Sequence, residues 1–250
     1  MKNYNYDMFA EYYDQIEANE KIKSLNHVLD SICKKQNVSS ILDITCGTGE
    51  QAIYLHKKGY HVVASDLNKS MLAIARKKYP KIAWHHGDMQ HVRYGKFDAV
   101  ISIYNAIAHL SKKDFEQAIR NISANLNQNG MYIFDIFNAA FMHRHFIAYE
   151  FIDRCIEIES KKIARFNKNN FDRRKNIMRI KQKTYLQDEL KQPKIIKEKW
   201  DMQIYTVQEL QEMLKRNGFA EGEFFSIDGS RFDQQKSLSI LCVAKKKRER

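Results

Sequence analysis

The 250 residues carry 42 Lys and Arg against 30 Asp and Glu, a formal net charge of +12, and 44% of them are hydrophobic. That length suits one large domain or a domain with a sizeable insertion, and the apolar content excludes disorder as the main state. No stretch reaches the roughly 18 uninterrupted apolar residues of a membrane span.

The opening residues, Met1 to Asp7, are polar and aromatic, without the apolar run of a signal peptide. Cys33, Cys46, Cys155 and Cys242 form no Cys-x-x-Cys pair and have no nearby Cys/His ligand spacing. The expectation is a cytoplasmic protein with free thiols, no metal and no membrane contact. The excess charge is local: residues 141–205 are net +7, and Lys245 to Arg250 are net +4.

In chain order, Ile22, Leu25, Val28, Leu29 and Ile32 predict a helix over residues 18–37. A short strand, Ile41-Leu42-Asp43-Ile44, ends in Cys46-Gly47-Thr48-Gly49 and a helix around 50–58. Strands at 61–66 and 82–85 flank a helix over 69–78 that stops before Pro80. A strand at 97–103, an amphipathic helix over 112–126 and a strand at 131–136 follow, with Asn129-Gly130 read as the turn ending the helix. Alternating strands and helices imply a mostly parallel sheet covered on both faces.

After Asn138 the period changes to two. Ile156 and Ile158 alternate with glutamates, and Ile196, Trp200, Met202 and Ile204 face away from Lys197, Lys199, Asp201 and Gln203. This pattern predicts antiparallel strands with one wet face. From Thr206 the first pattern returns, with a Thr-x-x-Glu capping box, a helix ended by Asn217-Gly218, and strands at 223–227 and 238–244. The expected organisation is a Rossmann-like core from 1–140 and 206–250, interrupted by a β insertion at 141–205 that caps the substrate.

The glycine turn Cys46-Gly47-Thr48-Gly49 joins a strand end to a helix start, where backbone amides approach a ligand closely. Asp66 ends the second strand 17 residues beyond Gly49, close to the spacing at which an acidic residue reaches ribose hydroxyls. The simpler alternative makes Asp66 a cap for the following helix. Asp98, at a strand start, reads as structural.

Four motifs in register then resemble class I S-adenosylmethionine-dependent methyltransferases. They are Leu42-Asp43-x-x-Cys46-Gly47-Thr48-Gly49, Asp66-Leu67-Asn68-x-Ser70-Met71-Leu72, Gly87-Asp88-Met89 and Phe97-Asp98-Ala99-Val100. The match covers roughly residues 38–138. Ala52 stands where a dinucleotide-binding fingerprint has its third glycine, which disfavours a nicotinamide enzyme.

The resemblance implies a seven-stranded mostly parallel sheet and S-adenosyl-L-methionine as cofactor. It implies that Asp43 and the Gly47-Thr48-Gly49 backbone meet the methionine part, and that Asp66 accepts both ribose hydroxyls. Leu67 and Met71 would pack near the adenine, with Asp88 receiving its amino group and Met89 supporting the ring. Tyr104 would lie near the sulfonium. The loop Ser102 to Leu110 resembles that of small-molecule N-methyltransferases acting on amino sugars and glycine, which makes Asn105 and His109 candidate substrate contacts and His109 and Tyr104 candidate catalytic groups. Tyr6-Asp7-x-x-Ala10-x-x-Tyr13-Asp14 resembles the segment that folds over the cofactor in the same group, with Tyr13 as the contact.

Three functions compete at this point. The first is methyl transfer to a small molecule, at nitrogen, by a monomer or homodimer. The second is RNA modification, drawing on the basic insertion and tail. The third is a non-catalytic cofactor- or partner-binding domain. For a small anionic acceptor, Arg154, Arg165 and Arg179 are candidate contacts.

Overall fold

The computed structural model describes residues 4–17, 20–158, 160–189 and 191–247. Residues 18–19 of the first predicted helix and 248–250 of the basic tail lie outside the described residues. A short 3-10 helix, Tyr6–Tyr12, leads into α1 (Tyr13–Glu17) and α2 (Glu20–Lys35). Then β1 (Ser40–Asp43), α3 (Glu50–Lys57), β2 (His61–Asp66), α4 (Lys69–Lys78), β3 (Ala83–His86), β4 (Phe97–Ser102), α5 (Lys112–Ala124) and β5 (Leu126–Phe137) alternate as the hydrophobic pattern requires.

After α6 (Ala139–His145) come β6 (Glu150–Ile158), β7 (Lys161–Asp172), β8 (Ile177–Asp188) and β9 (Lys194–Gln203). Then α7 (Val207–Arg216), β10 (Glu223–Phe225) and β11 (Ser239–Lys245) close the chain. The first sheet has the order β10-β11-β5-β4-β1-β2-β3, with β1 to β5 parallel and β11 antiparallel to β5. Chain order reverses between β1 and β4, and in such sheets ligands bind beyond the strand carboxyl ends at that crevice. The second sheet, β6-β7-β8-β9, is an antiparallel meander. It is the small antiparallel sheet expected from the two-residue alternation, with Ile196, Trp200 and Met202 buried on one face.

Asn129-Gly130 does not end a helix. The helix α5 stops at Ala124 because Asn125, its C-cap, turns its side chain onto the backbone of Val92, Tyr94 and Asn121. Asn129 (φ 62°) and Gly130 sit inside the run of β5 instead. A Cβ at Gly130 would lie 3.0 Å from the carbonyl oxygens of Asn127 and Phe97, so close backbone approach accounts for the glycine.

Elsewhere the local chemistry is as predicted. Thr206 and Glu209 form the reciprocal capping box of α7. Asp98 accepts from the backbone and hydroxyl groups of Ser39 and Ser40 and from Asn127, and these bonds hold its pKa below the ordinary carboxylate range although burial opposes them. Its role is to tie the start of β4 to that of β1. Among the described residues, no helix is long and apolar enough to cross a membrane.

Candidate active site

Four parallel strands deliver their carboxyl-terminal loops to one cavity of about 450 Å³. The loop after β1 contributes Ile44, Thr45 and Gly47; that after β2, Asp66, Leu67 and Asn68; that after β3, Gly87 to Gln90; and that after β4, Ile103, Tyr104 and Ala106. Tyr4, Tyr6, Tyr13 and His109 complete its lining.

Asp66 organises the floor. One carboxylate oxygen accepts from the backbone of Gly47 and the other from that of Asn68, each at 2.7 Å. It does not cap α4; Asn68 does, accepting from Met71 at 2.8 Å. Each oxygen of Asp66 keeps acceptor capacity for a hydroxyl. Burial raises its pKa although these amides and His86 pull the other way. Gly47 has φ +52°, and a Cβ there would find only Met71 Cε, at 3.5 Å, so this face of the turn is open toward a ligand.

Of the sequence-derived candidates, Tyr13, Gly47, Asp66, Leu67, Met71, Asp88, Met89, Tyr104 and His109 line the cavity. Asp43, Thr48, Gly49 and Asn105 are not on its wall. Gly49 caps α3 with φ +89°, and a Cβ would fall 2.5 Å from the Trp84 ring, so helix packing requires this glycine. Thr48 donates its hydroxyl to Asp14 at 2.5 Å, a clip on the amino-terminal segment. Asp43 lies buried beneath the turn, 3.4 Å from the Thr45 amide, and burial pushes its pKa up to about 8.

Asn105 and its neighbour Tyr104 both have positive φ, 54° and 69°. Two successive non-glycine residues in this region store about 1–3 kcal/mol each, so something must hold them. The carboxylate of Asp135, at the end of β5, receives the Asn105 amide at 3.3 Å on each oxygen. Burial pushes Asp135 up to about 7. Sequence reading passed over Asp135, since an aspartate inside an apolar strand carries no motif; its place at the end of a parallel strand was the available signal.

His109 Nε2 and the Tyr6 hydroxyl are 2.9 Å apart, while His109 Nδ1 is buried without a partner. Burial lowers the His109 pKa, which keeps the ring neutral at pH 7. Tyr4, missed in the sequence, and Tyr6, quoted there only as part of the covering motif, join a chain of edge-on and tilted rings from Trp200 through Tyr4 and Tyr6 to Tyr13, with centroid separations of 4.7, 4.8 and 6.1 Å. The candidate anion contacts are taken: Arg165 pairs with Glu17 and Asp153, Arg179 with Asp172, and Arg154 donates to the Ile16 carbonyl.

Comparison with known proteins agrees with this geometry. A family model described as a methyltransferase domain matches residues 41–130. This is the segment that supplies the cavity's strand ends, and over it the chain is similar to a methyltransferase domain. Over 97 residues, 38% of the chain, it is 32% identical to dTDP-3-amino-3,4,6-trideoxy-alpha-D-glucopyranose N,N-dimethyltransferase of Streptomyces venezuelae, covering 41% of that protein. A glycine/sarcosine N-methyltransferase of Parasynechococcus marenigrum (strain WH8102) is 30% identical over 51% of the chain and 48% of its own length. The chain thus spans about half the length, or less, of these curated relatives.

Solved structures match the fold over nearly the whole chain. A S-adenosylmethionine-bound amino pentose methyltransferase from Micromonospora echinaspora has a TM-score of 0.77 at 20% identity, covering 98% of this chain and 99% of its own. The sugar N-methyltransferase KedS8 from Streptoalloteichus sp ATCC 53650 has a TM-score of 0.79 at 18% identity, covering 100% and 95%. The second sheet therefore belongs to an architecture that those proteins share.

Proposed function

We propose that the chain transfers a methyl group from S-adenosylmethionine to the nitrogen of a small-molecule acceptor. The observation that carries this reading is one cavity whose lining combines two kinds of residue. A wall of Gly47, Asp66, Met71, Asp88 and Met89 suits a nucleoside with an aliphatic tail, and a neutral polar pair, His109 and Tyr6, stands beside Tyr104. S-adenosylmethionine, when bound, supplies a sulfonium methyl; the new C–N bond forms as the C–S bond breaks, and S-adenosylhomocysteine is left.

The protein's residues do three things for that step. Asp66 would hold ribose hydroxyls, with Leu67, Met71 and Met89 available to flank the base. Tyr4, Tyr6 and Tyr13 exclude water from the reacting end. Neutral His109 takes up a proton released by the acceptor amine, directly or through Tyr6, which keeps the nucleophile in its reactive form. Alignment at close range supplies most of the acceleration in such a displacement.

Calorimetric titration with S-adenosylmethionine and S-adenosylhomocysteine, followed by a homocysteine-release assay over amines, sugars and RNA, tests the reading. Saturable binding of both and turnover with a small amine are expected; failure of both to bind would overturn it. A His109→Ala variant should bind cofactor normally and turn over about tenfold or more slowly, a modest loss for a removed proton acceptor. Its rate should also lose the acid-side decline, whose midpoint lies below 6.5 in the parent because burial disfavours the imidazolium. Unchanged turnover across pH would take His109 out of the mechanism.

A further inference from the structure

Arg165 stands on the inner face of β7 and is 8% exposed. It belongs to a polar band of the second sheet, with Asn167, Gln182 and Glu198 in register on the next row. A guanidinium taken out of water needs its charge balanced and its donors used. Its Nε donates to Asp153 on the neighbouring strand β6, and a terminal nitrogen reaches Glu17 at 2.8 Å. It also hydrogen-bonds the hydroxyl of Tyr4. Asp153 alone would neutralise it within the sheet. Glu17 and Tyr4 come from outside the sheet, at the two ends of the amino-terminal segment: Tyr4 precedes the 3-10 helix and Glu17 is the last residue of α1.

What that segment adds to the cavity lies between these two pins or is one of them. Tyr4, Tyr6 and Tyr13 are all on the lining. The Tyr4 ring is 4.7 Å from that of Trp200 and 4.8 Å, edge-on, from that of Tyr6. The Tyr6 hydroxyl is in turn 2.9 Å from His109 Nε2. The path from Arg165 to His109 therefore runs through one hydrogen bond, one edge-on ring contact and a second hydrogen bond. Other ties hold the body of the segment: Phe9 and Ile16 pack on Ile163 and Ile196, and Arg154 donates to the Ile16 carbonyl at 2.8 Å. Apolar packing is non-directional and leaves the Tyr4 hydroxyl unaddressed, whereas the fixed fork of a guanidinium sets direction.

We propose that Arg165 is a positioning residue for methyl transfer, pinning both ends of the amino-terminal segment from the second sheet and so setting Tyr6 against His109. The inference rests on the methyltransferase reading above and gives the second sheet a part in it. Arg165 does not line the cavity and acts only through Tyr4 and Glu17. An arginine serving the sheet alone would need one carboxylate. Two carboxylates and a hydroxyl, drawn from three separate places in the chain, make this one a fixed point for all of them.

The test is an imidazole NMR titration of the full chain, free and saturated with S-adenosylhomocysteine, with His109→Ala to assign the ring among the nine histidines. In the parent the His109 midpoint should lie below 6.5, because burial disfavours the imidazolium. Tyr4→Phe keeps the ring and removes the hydroxyl that Arg165 holds, and Glu17→Gln keeps the shape and weakens the other pin. Both leave Arg165 paired with Asp153. Each should raise the His109 midpoint by about half a pH unit or more, toward 6.5, as water reaches the ring. For Glu17→Gln the sign decides: losing a negative charge would by itself lower the midpoint, so a rise reports displacement of Tyr6. The other titratable groups on the lining are Tyr4, Tyr13, Tyr104, Asp66, Asp88 and Asp114, and neither substitution changes a charge among them. Arg165→Lys, which keeps the charge but not the fork, should shift the midpoint the same way. A structural tie alone would lower the unfolding midpoint of these variants and leave the His109 titration at the parent's value; that result in Tyr4→Phe and Glu17→Gln would overturn the proposal. Failure of S-adenosylhomocysteine to bind the parent would instead overturn the methyltransferase reading, and with it the role in transfer.

Discussion

The two sheets solve opposite problems. In the seven-stranded sheet the polar groups around the cavity are mostly engaged: Asp66 binds two amides, Asp135 braces the strained Tyr104-Asn105 turn, and Asp98 anchors two strand starts. On the inner face of the four-stranded sheet, four buried polar atoms have no partner. On the proposed reading the cavity offers a cofactor preformed hydrogen bonds, whereas the inner face of the second sheet holds polar atoms that its own side chains leave unsatisfied. That difference sets the scale of each perturbation.

The largest effect should come from Asp66→Ala. It removes an acceptor for two ribose hydroxyls and frees the Gly47 and Asn68 amides together. Charge-assisted bonds of about 1.5–3 kcal/mol each imply a loss of S-adenosylmethionine affinity of about 100-fold or more by calorimetry. Parent-like affinity would mean that the preformed side of the contrast is not where the cofactor binds.

Next comes Gly49→Ala, which breaks the frame rather than the site. Both the positive φ and the 2.5 Å approach to Trp84 oppose a methyl group, so a loss of about 2–3 kcal/mol in denaturant unfolding is expected. Gly59→Ala is the control, because φ is +98° there but nothing lies within 4 Å of the added carbon. About 1 kcal/mol should be lost at that position. Equal losses would assign the whole effect to backbone conformation.

These two glycines show why the sequence was readable where it was. The cavity wall is assembled mostly from strand ends and the turns that follow them, within residues 41–130, so it appears in the sequence as short motifs at regular spacing. Gly47, Asp66, Asp88 and His109 were legible for that reason. Gly49 was legible as a glycine but not as a contact with Trp84, 35 positions away in the chain. The polar band of the second sheet was not legible, because Asn167, Gln182 and Glu198 meet only through cross-strand register, and within each strand an inward polar residue looks like any other. Tyr4 lies just before the Tyr6–Asp14 motif that marked the segment over the cavity, and no local pattern singled it out. Asn129-Gly130 misled because a turn signal and a close-packed strand position use the same two residues.

A pH-dependent effect comes from the buried acids of the first sheet. Burial places the Asp43 pKa at about 8 in the folded chain against an ordinary 3.8, so the folded state retains a proton that the unfolded state releases across that interval. Stability contributed by Asp43 is therefore present at low pH and lost as pH rises toward about 8, and Asp135, pushed up to about 7, acts in the same direction. Asp43→Asn should flatten this decline by up to one proton, read from denaturation midpoints across the window. A slope identical to the parent's would show Asp43 to be ionised throughout and the first sheet to be wetter than its packing implies.

The smallest effect should come from the outward face of the second sheet. Arg174, Lys175 and Arg179 are exposed at or beside the β7–β8 turn, and the ion pair there, Arg179 with Asp172 at 3.0 Å, has its arginine nearly half exposed. Pairs of that kind contribute about 0–1 kcal/mol. Replacing all three by alanine should leave unfolding within about 1 kcal/mol of the parent and turnover on a small amine within about twofold. If RNA were the acceptor, the same triple variant would lose affinity steeply and its binding would become less dependent on salt, because each phosphate contact removed lowers the number of counterions released. The outer face then separates the two acceptor classes by charge alone.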